Sequence, residues 1–158
     1  MAKTQSQDAT RASLSALLDD ARQELTASLQ GLTAEQMEIP LPEGWSVKDI
    51  LAHVAMWNEV ELADMRRASR GDKPALASFD SPLVDKWNEV QFAVRKAFPL
   101  GQVTRELMET RNALTEFLAS LQDGQLISGY IPVACMHSAR HDQRHAAQIR
   151  ASRQKASI

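Results

Sequence analysis

The chain has 158 residues, 44% apolar and 24% charged, with 18 Lys and Arg against 20 Asp and Glu, a formal net charge of −2 and a pI near 6.1. That supplies one hydrophobic core and falls short of two, so a single domain over 1–158 is expected, with about residues 1–8 and 154–158 as frayed tails. The balanced charge argues against a polyanion or an anionic membrane as the main partner; the lone Cys135 excludes an intrachain disulfide and fits a cytoplasmic protein; no apolar run reaches the roughly 20 residues of a membrane span, and the polar start has no signal-peptide core.

Leu14, Leu17, Leu18, Ala21, Leu25, Leu29 and Leu32 recur at the spacing that puts one apolar stripe on a helix, which makes this the first long element. Thr33 and Gln36 form a capping box for one brief helical turn, which stops before Pro40 and Pro42. Gly44-Trp45-Ser46 leads into a second long helix. Ser46 caps it, Asp49 reciprocates three residues on, Trp45 is placed to staple against Ile50, and the helix ends near Ser69 before Arg70-Gly71-Asp72-Lys73-Pro74.

Asp80-Ser81-Pro82 starts another helix, with Leu83, Trp87, Val90, Val94 and Phe98 along one face. Pro99-Leu100-Gly101 interrupts it, and a helical pattern resumes from Val103 through Leu107, Leu114, Leu118 and Leu121, so this third bundle element is expected to be broken near Pro99. Pro132 opens the last helix, which ends near Arg153. No period-2 pattern suggests a strand. Helices of similar length with short or medium connections point to an all-α, antiparallel, up-and-down four-helix bundle.

Three of the four histidines, His137, His141 and His145, fall within nine residues of that last helix. Side chains four apart share a helix face, so two imidazoles can reach one ion at about 2.0–2.1 Å. A helical wheel puts Ile131, Cys135, Ser138, Ala146 and Ile149 on the buried side, with His141 and His145 at its edge and His137 rotated toward solvent with Arg140 and Arg144. This favours His141 and His145 as metal ligands and leaves His137 as an alternative ligand or a hydrogen-bonding neighbour. His53, the remaining histidine, lies on the Ile50–Trp57 side of its helix and should point to the core or its edge. Spacing alone also leaves an ordinary reading open, surface histidines and one satisfied core-edge histidine.

At GWSVKDILAHVAMWNE, from Gly44 to Glu59, and HDQRHAAQI, from His141 to Ile149, the sequence resembles the DinB-like superfamily of metal-binding four-helix bundles. The resemblance implies His53, His141 and His145 as the ligands of a divalent ion, zinc or nickel first, with iron among the alternatives. The family includes transferases and isomerases that use low-molecular-weight thiols such as bacillithiol, mycothiol or glutathione, and relatives that hydrolyse reactive metabolites.

The expected function is therefore a metal-dependent, low-molecular-weight-thiol-dependent transferase acting on a small reactive metabolite. The alternatives are a metal-dependent hydrolase and a non-catalytic metal-binding homodimer, with Trp57, Trp87, Met56 and Met65 available to pack between subunits. Glu59 and Glu61 are candidate general bases or partners of a metal ligand. Arg140, Arg144 and Trp57 are candidate substrate contacts. Five basic residues near the C-terminus without interleaved aromatics make a poor nucleic-acid surface, so no nucleic-acid partner is expected.

Overall fold

The computed structural model describes residues 2–127 and 129–158, with side chains described from Thr10 onward. Seven α-helices are present among them: α1 (Ala2–Ala27), α2 (Ala34–Glu38), α3 (Val47–Ser69), α4 (Ser81–Arg95), α5 (Leu100–Ser120), α6 (Asp123–Leu126) and α7 (Tyr130–Ala156). A 3-10 turn spans Ala75–Ser78, and a single antiparallel bridge, Pro40 with Ser46, stands in place of any strand among the described residues. The expected all-α four-helix bundle is formed by α1, α3, α5 and α7.

Its connectivity follows from which residues share each end of the core. One apolar cluster joins Leu25 of α1, Val47 and Ile50 of α3, Val103 of α5 and Ile149 of α7. The other joins Leu14 and Leu18 of α1, Leu62 and Met65 of α3, Leu114 and Leu118 of α5 and Ile131 and Cys135 of α7. Helices α1 and α7 therefore run one way, and α3 and α5 the other. This differs from a simple up-and-down order because the segment holding α4 carries the chain back to the end where α3 began, so α5 starts beside the start of α3.

Pro99 is the reason α4 and α5 are separate helices. It caps α5 without a side-chain hydrogen bond, and its fixed φ and missing N–H cannot continue α4. The two halves of the expected third element consequently do different work. Helix α5 enters the bundle, while α4 packs outside it against α3. The predicted core face of α4 is correspondingly open, with Leu83, Val90 and Val94 exposed; its inward contacts come from Trp87, Asn88 and Phe92. Met56, Met65 and Trp57, considered for a subunit interface, are all buried within the chain.

Caps fix where α3 and α4 begin. The Ser46 hydroxyl accepts from the Asp49 amide while Asp49 accepts from the Ser46 amide, and Asp80 accepts from the Leu83 amide ahead of Pro82. Gly44, at φ 96°, turns the chain into α3 in the left-handed region that a Cβ disfavours. That turn sets Trp45 edge-on to His53, with ring centroids 5.4 Å apart, and stacked on Phe92 at 5.0 Å. Trp45 also joins the cluster that contains Ile50. At the other end of α3, the buried Asp64 carboxylate accepts from the amides of Ala75 and Leu76 at 2.8 and 2.7 Å, docking the 3-10 turn against the bundle.

Candidate metal centre

Helix α3 delivers His53, and α7 delivers His141 and His145 from adjacent turns of the same face. The antiparallel crossing of α3 and α7 brings the three rings together. Nε2 of His141 lies 3.2 Å from Nε2 of His53 and 3.1 Å from Nε2 of His145, and the three ring centroids are 4.5 to 5.1 Å apart. Three nitrogens about 2.0–2.1 Å from one ion at tetrahedral angles stand roughly 3.3–3.4 Å from each other. The observed separations leave a seat for a divalent ion with only a small outward adjustment.

Charge and protonation agree with that seat. Burial holds the imidazoliums out of water, pushing His53 down to about 3 and His141 down to about 2, with neighbouring histidines and Arg144 lowering both further. Burial also lowers His145, against a smaller opposing effect from its hydrogen bond to Gln148. All three rings are thus neutral near pH 7, the state in which imidazole donates to a metal. Nδ1 of His145 donates to Gln148 Oε1 at 2.8 Å, which fixes the ring and leaves Nε2 as the free lone pair. Nδ1 of His141 is buried without a partner among the described residues.

No cysteine or carboxylate joins these nitrogens to close a fourth position, and the three histidines form the one cluster of metal-ligating side chains found among the described residues. Three protein ligands and an open position are the pattern of reactive rather than structural sites. A cavity of about 360 Å³ opens beside them, touched by His53 and His141 and walled by Trp57, Leu76, Phe79 and Val84. Asn88, His137 and Arg144 complete its lining. The DinB superfamily family model matches residues 17–149, spanning both histidine-bearing helices.

The chain belongs to the DinB superfamily. Two solved structures agree with the fold. A crystal structure of an uncharacterised protein from Escherichia coli UTI89 superposes with a TM-score of 0.75 at 12% identity, covering 94% of this chain and 95% of that one. The colibactin self-resistance protein ClbS, in complex with a dsDNA, superposes with a TM-score of 0.76 at 12% identity, covering 91% of this chain and 95% of the other. At that identity these likenesses show the fold alone. No curated protein matches the sequence.

Within this DinB fold the remaining sequence candidates separate. His137 does not join the three nitrogens; its ring lies 6.4 Å from that of His141 and nearly parallel to it. Its Nδ1 donates to Glu61 Oε1 at 2.5 Å. Glu61 is buried, and that hydrogen bond raises the His137 pKa above its ordinary value, against an opposing effect of burial. Glu59 is away from the centre, exposed and paired with Arg95. Trp57 walls the cavity and donates from Nε1 to Asn88 Oδ1 at 2.9 Å. Arg144 lines the cavity, whereas Arg140 is exposed and does not.

Sequence reasoning missed the cavity walls contributed by Leu76, Phe79, Val84 and Asn88. Their segment has a helix start but no binding motif, and long-range contacts, among them the Asp64 anchor and the Trp57–Asn88 hydrogen bond, bring it against the bundle. It also missed Gln148, whose place three residues after His145 was the available signal. Cys135 is fully buried, and burial pushes its thiol up to about 11, so the chain places no thiolate of its own near the centre at neutral pH.

Proposed function

We propose that this chain is a divalent-metal-dependent enzyme that transfers a low-molecular-weight thiol to a small electrophilic metabolite. The observation that carries this reading is the convergence of three neutral imidazoles, two of which, His53 and His141, line a cavity of about 360 Å³, a size at the small end of ligand sites. A divalent ion held there, zinc or nickel by the nitrogen donor set, supplies Lewis acidity that makes a thiol or a water more acidic. Gln148 holds His145 in the binding tautomer. Glu61 holds His137 at the cavity wall, and Trp57, Phe79, Leu76 and Val84 shield a bound ligand from water. Burial of Cys135 supports a diffusible thiol, rather than one of the protein's own, in this reading.

The test is elemental analysis of untagged protein together with thiol consumption in the presence of monochlorobimane, using glutathione and cysteine as thiols. We expect about one equivalent of zinc or nickel, loss of metal in His53→Ala, His141→Ala and His145→Ala with retention in His137→Ala, and a rate that depends on metal. Full metal content in the first three variants would overturn the ligand assignment. Metal-dependent hydrolysis of a p-nitrophenyl ester without any thiol dependence would replace the transferase reading with a hydrolase one.

A further inference from the structure

The cavity beside the three histidines has an uneven inventory of polar groups. No aspartate or glutamate lines it. Arg144 lines it and is exposed, and its guanidinium has no hydrogen bond or ion pair among the described residues. Asn88 already gives its oxygen to the Trp57 indole, which leaves its NH2 group as the donor still available. His137 has Nδ1 engaged by the buried Glu61 carboxylate, which fixes its ring in the lining. The rest of the lining, Trp57, Leu76, Phe79 and Val84, is mostly apolar.

Two other cavities among the described residues lack a free cation: the one lined by Arg22 and Arg111 has both bonded to the buried Asp142. The groove lined by Glu59, Glu106 and Glu109 sets three carboxylates against Arg95, which is itself bonded to Glu106 at 2.7 Å and Glu59 at 3.4 Å. An uncommitted cation in a cavity with much apolar lining selects for charge and shape together.

We propose that this cavity is a binding site for a small organic anion, a carboxylate or similar singly charged head on an aromatic or branched apolar body, with Arg144 as the residue that recognises the charge. The head lies between Arg144 and the three-histidine centre, and the body lies against Trp57 and Phe79. The proposal deepens the reading above by naming the substrate class, and it depends on the same cavity. It does not depend on metal occupancy, because Arg144 and the apolar wall belong to the chain.

Isothermal titration with phenylacetate, its neutral isostere phenylacetamide and the cation phenethylamine tests it, on zinc-loaded protein and on protein stripped of metal. Phenylacetate is expected to bind about tenfold tighter than phenylacetamide, the size of one partly exposed charged hydrogen bond, and phenethylamine weakest. Arg144→Gln should remove that preference while leaving phenylacetamide affinity, metal content and Tm unchanged. Phe79→Ala should weaken phenylacetate and phenylacetamide equally.

Equal affinity for the acid and the amide, an unaltered preference in Arg144→Gln, or no phenylacetate binding at millimolar concentration would each overturn the proposal. The two readings fail separately. Retained acid preference in a protein that binds no metal leaves the anion site standing and removes the metal enzyme, whereas stoichiometric metal without acid preference does the reverse.

Discussion

His141 and Asp142 are adjacent in sequence and both buried, yet they serve opposite sides of α7. His141 faces α3 and meets only other histidines, with the nearest cation, Arg144, still uncommitted. Asp142 faces α1 and α5, where its Oδ2 accepts from Arg22 Nε at 2.9 Å and Arg111 Nη2 at 2.6 Å. Arg22 also donates to Asn58 Oδ1 at 2.7 Å and to the Leu107 carbonyl at 3.1 Å, tying all four bundle helices into one polar layer between the two apolar clusters. Burial lowers the Arg22 pKa only to about 10, so its guanidinium stays charged at neutral pH.

The difference teaches how one helix carries stability and chemistry a residue apart. On the Asp142 side one carboxylate is shared by two guanidiniums, and removing it leaves both without a counter-charge. On the His141 side the buried groups are neutral bases whose ring nitrogens converge, an arrangement that could hold a cation.

The largest effect expected from breaking this contrast is at Asp142. Asp142→Ala strands Arg22 and Arg111 in the bundle and should cost about 3–5 kcal/mol in urea denaturation. A loss below about 1 kcal/mol would show the network to be well hydrated and the contrast empty. His141→Ala should do the opposite, losing about 1–2 kcal/mol of stability in the metal-free protein while lowering zinc affinity more than about a hundredfold in a chelator competition, beyond the effect of losing a group that merely orients a ligand.

Gln148→Ala sharpens the comparison further. It touches the centre only through His145 Nδ1 and should weaken zinc binding by about tenfold with little change in Tm; an unaltered affinity would mean that α7 packing alone orients the ring. The smallest effect belongs to Cys135, which packs in an apolar cluster away from both sides. With its thiol raised from 9.0 to about 11, iodoacetamide labelling at pH 8 should be slow and follow unfolding. The stability linked to this thiol is full below pH 9 and falls as the pH rises toward 11, because the unfolded thiol ionises first.

Much of this was legible in the sequence because the signals were local. The stripe beginning at Leu14, the reciprocal cap of Ser46 and Asp49, and the break at Pro99 each depend on neighbours within a turn or two, so periodicity and backbone chemistry sufficed. The same holds for His141 and His145, whose spacing and wheel position put them at the buried edge of α7, and for the exposure of His137.

The structure alone decided what distant elements do to one another. Asp142 reads locally as a lone acid in a basic stretch, and only the meeting of α1, α5 and α7 makes it the anchor of two arginines 120 and 31 residues away. Glu61 is a surface-like acid in its helical context until α7 brings His137 against it. The stripe of Leu83, Trp87, Val90, Val94 and Phe98 has helical period but is split, with Trp87 and Phe98 packed inward and Leu83, Val90 and Val94 exposed, because Asn88 and Phe92 also turn toward α3 and the turn before it. Amphipathic spacing specifies that a helix has a face to bury. Which surface covers it, and which polar groups are drawn into the interior, depends on long-range packing and charge pairing that no local pattern encodes.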